Sequence, residues 1–363
     1  PSHCAILTGQ PDLVHGVELE IFRLDPAFPT LAEVLRDAGY RTAGFYSGPH
    51  LEPAFGFGRG FDRYVACYGD ELLASSHRAT EAAARLAVAE SEGMGPELLE
   101  AFERNSEAQR ALERAAQRDV SSMSIADAVL EEVAGASGAS GARKPFFIFA
   151  HFFDPHFDYA PPGPFDERFD PDYPGTMTGT GFFHNSAIAL VDESLPSGRV
   201  RVVSDRDLAH LRALYAGDLA WTDSQVGRVL AGLEEAGLLD DTVVALVADH
   251  GDEFFEHDGI GHRRTLYEEV VQVPMLIRYP ARLPAGVRVR GPVSTIDLFP
   301  TLVELAGLPA VDGQWSSSLL STIDAAGPVQ RRGVLARLVR TRTVRVQTRV
   351  DGETRVTPVD RVT

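Results

Sequence analysis

The sequence is short of cysteine, of positive charge and of long apolar runs, and each shortage excludes something. Two cysteines, Cys4 and Cys67, stand far apart in a chain of 363 residues. They supply neither a disulfide framework nor a Cys-rich zinc cluster, and they leave the redox compartment open. Lys and Arg number 34 against 52 Asp and Glu, a formal net charge of −18. No broad basic field exists to neutralise phosphates, so nucleic acid is excluded as a partner. No apolar run is long enough to span a bilayer, and no membrane segment is expected in this chain. The sequence opens on Pro1 with no Met and no charged-then-apolar leader. Its natural N-terminus is therefore expected upstream, and cytoplasmic and exported locations both stay open.

What is present is enough for a large core, since hydrophobic residues make up 44% of the chain. Pro1 at a first helical position and Gly9 past the last turn predict a short helix at once. Thr30 to Gly39 reads as a second capped helix, and Tyr40 to Ser47 as a strand. Asp70 to about Gly141 is rich in Ala, Glu and Arg, which reads as exposed helices inserted at about 71–141 and carrying little chemistry. Phe146–Phe153 and Thr242–Ala248 read as strands buried on both faces. Between them lie a Pro- and Gly-rich loop, Pro161 to Thr180, and a long amphipathic helix, Asp207 to Gly237. Strand Val273–Arg278 and a helix from Ser294 to about Gly307 follow. The Arg-rich tail from Arg331 to Arg349, with Val344, Val346 and Val350 alternating, reads as an edge strand of a small antiparallel sheet. Strands alternating with helices give an α/β fold with a mainly parallel central sheet flanked by helices.

Two strand ends carry chemistry. Asp154-Pro155-His156 closes one, and Asp249-His250-Gly251 closes the other. Ligands in open α/β sheets gather at the carboxyl ends of strands. An Asp-His pair there offers one oxygen and one neutral nitrogen to a divalent cation, so Asp249 and His250 are read as metal ligands. His156 is read as contacting substrate, with a structural hydrogen bond as its competitor. His151 either lines the pocket or packs in the core. Asp252 and Glu253 either complete the ligand set or favour a helix N-terminus. Glu256 and His257 are read as solvated loop residues, and Cys4 as a buried apolar side chain.

These residues resemble the sulfatases of the alkaline-phosphatase superfamily. Pro1-Ser2-His3-Cys4-Ala5-Ile6-Leu7-Thr8-Gly9 with His15-Gly16-Val17 is similar to the segment after the family's nucleophile. Phe152-Phe153-Asp154-Pro155-His156-Phe157-Asp158-Tyr159 resembles a substrate-binding block, and Tyr215–Asp218 with Trp221–Asp223 resembles the helix before the metal strand. Ala248–Phe254, Gly261-His262 and Tyr267-Glu268-Glu269 are similar to the most specific block, and Ile296–Leu302 to a late helix. The resemblance implies an alkaline-phosphatase-like catalytic domain over 1–325 and the start of a small C-terminal antiparallel subdomain over 326–363.

It also implies hydrolysis of a sulfate ester, on a small molecule or a glycan, at one divalent cation, with calcium favoured over manganese or zinc. Asp249 and His250 would bind that cation. His156 and His262 would be catalytic, and His151 and His3 would bind substrate. His262 lies one position from a substrate-binding lysine of many sulfatases. The nucleophile would stand two residues before Pro1, with two acidic ligands further upstream, so this chain alone is expected to be inactive. Where the family usually carries Arg, this sequence has His3. Loss of the guanidinium argues against formylglycine chemistry. A plain Ser or Thr nucleophile would point instead to a phosphodiesterase, a phosphonate monoester hydrolase or a phosphoglycerol-type transferase. A non-catalytic relative is the reading from another class.

Overall fold

The computed structural model describes residues 1–17, 23–69, 121–137, 144–182, 185–191, 199–262, 264–325, 341–350 and 353–362, with scattered helical positions between 74 and 111. β1 (Arg41–Tyr46) is the middle strand of a three-stranded parallel sheet, between β2 (Arg63–Ala66) and β3 (Phe146–His151). Successive side chains of β1 point to opposite faces. Ala43 and Phe45 join one core cluster and Tyr46 another. Both faces of the sheet are thus covered, as parallel strands require. Phe45 is fully buried, which favours the fold by about 1.5–3 kcal/mol over exposure.

On the near side of the sheet lies α1 (Ser2–Thr8), closed by Gly9 in the left-handed conformation, and then the single turn α2 (Asp12–His15). Cys4 and Leu7 of α1 pack with Tyr46, Leu51 and Phe55. Burial pushes the Cys4 thiol up to about 11, so it behaves as the small apolar residue expected. α3 (Leu31–Asp37) starts where the sequence indicated, on a capping box between Thr30 and Glu33. Arg59 then clamps Glu33 at 2.8 Å.

The far side is built from α4 (Ser122–Ser137), whose Ile125, Val129 and Val133 recur every fourth residue and meet Ala43 and Phe45. This corrects one expectation. Residues 122–137 are not an exposed addition but a covering layer of the sheet. The remainder of the stretch 71–141 lies mostly outside the described residues. β4 (Ala189–Val191) and β5 (Arg199–Arg201) form a small antiparallel pair ahead of α5 (Asp205–Glu235), which is one continuous helix capped by Ser204. Leu233 of α5 packs into the α4 cluster.

A second correction concerns β6 (Val244–Val247). The apolar run Thr242–Ala248 predicts a strand buried on both faces, in a mainly parallel sheet. β6 instead pairs antiparallel with β9 (Met275–Arg278), and its residues are half-buried or exposed. Leu246 and Leu276 face each other across the ladder, 39% and 60% exposed. Among the described residues no layer covers that face, and an apolar run alone does not report which of its sides is packed. Phe146–His151, also expected to be fully buried, is half-buried along its length. Between β6 and β9 run β7 (Glu253–Phe254), β8 (Ile260–Gly261) and α6 (Glu268–Val271). α7 (Leu298–Leu305) packs Phe299 and Val303 on Leu31 and Leu35, and α8 (Leu320–Ala325) follows. β10 (Thr341–Val350) and β11 (Glu353–Val362) make the expected antiparallel hairpin. Residues 326–340, where the tail was expected to begin, lie outside the described residues. The fold is thus α/β with a parallel central sheet and small antiparallel sheets. No helix among the described residues is long and apolar enough to cross a membrane.

Candidate active site and metal centre

In the parallel sheet the carboxyl ends of β1 and β3 lie side by side, with Tyr46 opposite His151. Ser47, fully buried, joins the two ends. Its hydroxyl donates to the His151 carbonyl at 3.1 Å and accepts from the Phe153 amide at 3.1 Å. Gly48 follows at φ 80, and a Cβ there would stand 2.4 Å from the Phe153 ring, so only glycine fits. Phe153 in turn stacks on His156, with centroids 4.3 Å apart. The His156 turn is held from behind. The Asp154 carboxylate accepts the Ser122 amide at 3.0 Å and the Ser122 hydroxyl at 2.5 Å, and the Thr222 hydroxyl donates to the Asp154 carbonyl at 3.1 Å.

The loop after β6 brings the charges. Gly251 lies so close to α6 that a Cβ would be 2.1 Å from the Glu269 carbonyl oxygen, and its amide bonds the Val270 carbonyl at 2.9 Å. That contact turns Asp249, His250 and Asp252 into one space. Asp249 Oδ2 is 3.5 Å from His3 Nδ1 and 3.5 Å from His250 Nε2. The His250 ring is 4.0 Å from that of His262, and His262 is 5.3 Å from His156. His3 meets His151 edge-on at 4.7 Å. All six residues singled out in the sequence, His3, His151, His156, Asp249, His250 and His262, are therefore linked in one continuous chain of contacts.

Each ring at the core of the site has a fixed orientation. A carbonyl oxygen only accepts, so His156 donates Nδ1–H to the Phe157 carbonyl at 2.6 Å, and His250 donates Nδ1–H to that of Gly251 at 3.2 Å. In the neutral ring this leaves the lone pair on Nε2, the atom facing Asp249, the arrangement of metal-binding imidazoles. Burial alone would raise the Asp249 carboxyl, but the neighbouring imidazoles, His3 first and then His250, outweigh it and hold it well below the usual range. Burial pushes His151 down to about 3, with His3 adding to the effect, so that ring is neutral. Burial lowers His3 too, against the opposing pull of Asp249.

Several residues stand differently from their sequence reading. Asp252 and Glu253 are at no helix N-terminus. Asp252 bonds His262 at 2.6 Å and Tyr159 at 2.7 Å, while Glu253 lies in β7 and accepts from Thr265. Burial would raise Asp252, but His262 and both hydrogen bonds hold it at about 2. Glu256 and His257 are the exposed loop residues expected, the first paired with Arg212 at 2.7 Å and the second stacked on Tyr267. Sequence reasoning missed His50, which follows β1 closely enough for its charge to lower both His3 and His151. Its signal was available, as a histidine just past a third strand end. Ser122 carried no such signal.

The donor set fits a divalent cation. Two ligands about 2.0–2.5 Å from one ion, at roughly 90–110°, stand about 3–4 Å apart, and Asp249 Oδ2 and His250 Nε2 meet that spacing at 3.5 Å. Donor atoms of His250, Asp252 and His262 also lie within 4.8 Å of one another, so His250 belongs to both groupings.

Known proteins agree with this architecture. The family model described as Sulfatase matches residues 1–308. Arylsulfatase K of Danio rerio is 36% identical over 120 residues, 33% of this chain and 23% of that protein. The human arylsulfatase K is 32% identical over 115 residues, 32% of this chain and 21% of that protein. The matched stretch thus spans less than a quarter of either relative. Among solved structures, a protein in complex with its substrate D-glucosamine-2-N,6-O-disulfate superposes with a TM-score of 0.61 at 18% identity, covering 100% of this chain and 77% of the other. The phosphonate monoester hydrolase of Agrobacterium radiobacter gives 0.61 at 21% identity, covering 97% and 72%. Those likenesses show the fold, and the match through residues 1–308 shows the family: the chain belongs to the sulfatases of the alkaline-phosphatase superfamily.

Proposed function

We propose that the intact protein hydrolyses a sulfate ester in a metal-dependent reaction. The observation that carries this reading is the meeting of Asp249 with His3 and His250, each at 3.5 Å, beside His262 and His156. Asp249 and His250 would hold the cation, calcium by family resemblance, with manganese or zinc suited by the imidazole. When bound, the cation would supply Lewis-acid polarisation of the ester oxygens. The resemblance places the nucleophile before Pro1, and the residues of this site would bind, orient and move protons. His156 has Nδ1 committed to a carbonyl and would meet the leaving oxygen through Nε2. His151, kept neutral by burial, would contact the substrate without a charge of its own, and His3 would stand where the family usually places a guanidinium.

A second reading keeps the centre and changes the ester to a phosphodiester or phosphonate. Two features favour it, the Asp-His pair at 249–250 and His3 in place of arginine. The two are separated by assaying the intact protein on aryl sulfate, phosphodiester and phosphonate esters with calcium, manganese and zinc in turn. Faster turnover of the sulfate supports the first reading, and preference for a phosphorus ester replaces it with the second. No turnover with any pair leaves only a non-catalytic relative.

A further inference from the structure

Of the five imidazoles gathered at the site, three have Nδ1 hydrogen-bonded to an oxygen, and what those Nδ1 atoms face differs. His156 and His250 face main-chain carbonyls. His262 faces a carboxylate, Asp252 Oδ1, at 2.6 Å, and Asp252 Oδ2 accepts the Tyr159 hydroxyl at 2.7 Å. The His262 and Asp252 side chains are each 6% exposed, and Tyr159 is fully buried. A carboxylate gripped on both oxygens is fixed against rotation about its last bond. The His262 ring is further held by stacking on Phe157, 5.2 Å away at 26°. Tyr159 belongs to the loop that carries His156, whereas Asp252 belongs to the loop that carries Asp249. One hydrogen bond therefore couples the two loops of the site.

We propose that Asp252 and Tyr159 are a positioning pair for His262. Asp252 holds His262 in its Nδ1–H form, so that Nε2 is the atom offered to the substrate, and Tyr159 holds the carboxylate in register. The consequence for turnover rests on the hydrolase reading above, but the ring form does not. The grouping of His250, Asp252 and His262 as cation ligands is the competing use of the same atoms. It would recruit the same carboxylate to a metal ion, and the ring form of His262 distinguishes the two uses only where Asp252 Oδ1 is the ligand atom.

The pair makes an unusual prediction about amide chemistry. In Asp252→Asn the single oxygen is claimed by the Tyr159 hydroxyl, which turns the NH2 group toward His262 and forces the opposite ring form, with hydrogen on Nε2. In the double variant Tyr159→Phe/Asp252→Asn the hydroxyl no longer holds that oxygen, so the amide is free to turn and the Nδ1–H form regains population. Tyr159→Phe alone keeps the Nδ1–H form, because the carboxylate accepts with either oxygen. Two-bond 1H–15N correlation spectra of the full chain, labelled with 15N-histidine, read the ring form directly. Hydrogen on Nε2 of His262 in the unsubstituted protein overturns the proposal without any variant. So does Asp252→Asn with its ring form unchanged, or a double variant that does not revert. In the intact protein Asp252→Asn should lower kcat by about 10²–10⁴-fold, the scale of a misoriented catalytic histidine, with KM within a few-fold. A change confined to KM also overturns the proposal. Absence of any turnover in the unsubstituted protein counts against the hydrolase reading alone, since the spectra still decide the ring form.

Discussion

At the end of β3 the turn that carries His156 is held by neutral donors. Ser122 and Thr222 grip Asp154, and Phe153 and Phe157 flank the ring. At the end of β6 the holding groups are ionisable instead: Asp249 among imidazoles, and Asp252 between His262 and Tyr159. The carboxyls respond in opposite directions. Behind the β3 turn, burial and then the nearby Asp154 charge push Asp218 up to about 8, whereas Asp252 is held at about 2. The difference teaches a division of labour. One strand end is built to be a rigid wall, and the other to gather charge at a point where a cation and an anionic ester would meet.

The division can be broken most severely at Asp249. Asp249→Ala in the intact protein should remove a Lewis-acid contribution of several kcal/mol, about a thousandfold in kcat/KM. It should also abolish any rise in Tm on adding the cation; a Tm rise equal to that of the unsubstituted protein would remove Asp249 from the metal centre.

Next in size is the pH response of the wall. The folded Asp218 carboxyl binds its proton up to about pH 8, while an unfolded one releases it near 4. The folded state therefore holds more protons across that window, and stability falls as pH rises through it. Asp218→Asn should remove this loss and be more stable than the unsubstituted protein at pH 8, by on the order of a few kcal/mol. Urea unfolding at pH 5 and pH 8 measures it, and identical pH slopes for the two proteins would falsify the assignment.

Asp154→Ala should cost about 2–3 kcal/mol, because the Ser122 amide and hydroxyl lose a charged acceptor. The same change should slow turnover through His156 while the cation-induced Tm shift persists. Loss of that shift would mean that the two strand ends are not separately held. The smallest effect belongs to Thr222→Val, about 1 kcal/mol for one hydrogen bond, seen as a lower urea midpoint with metal dependence unchanged. A variant as stable as the parent would show that the Thr222 bond is redundant.

Much of this was readable in the chain. The apolar run before Asp249, the Pro-containing stop at Asp154–His156 and the Thr30–Glu33 cap each rest on neighbours close in sequence, and each stands where local patterning indicated. What escaped rests on contacts between distant residues. Asp252 and Glu253 suit a ligand set or a helix start equally in sequence, and only the folded chain shows the Asp252 oxygens bound to Tyr159, 93 residues away, and to His262. Ser122 looked like part of an inserted helical stretch, yet it anchors Asp154, 32 residues on. The side of β6 left uncovered was equally hidden, because hydrophobicity reports that a strand packs and not against what.

By itself the sequence determined the order of elements and the strand-end residues Asp249, His250, His156 and His151, because periodicity, caps and strand-end chemistry are properties of short segments. The family, with His3 and His262, followed from resemblance along the chain. Only the tertiary structure decided how those residues serve one another. The ring forms of His156 and His250, the opposite displacement of Asp218 and Asp252 and the bond from Tyr159 to Asp252 all depend on burial and on partners brought together by packing. Desolvation and hydrogen bonding act at contact distance, and no spacing along a chain encodes which distant atoms will touch.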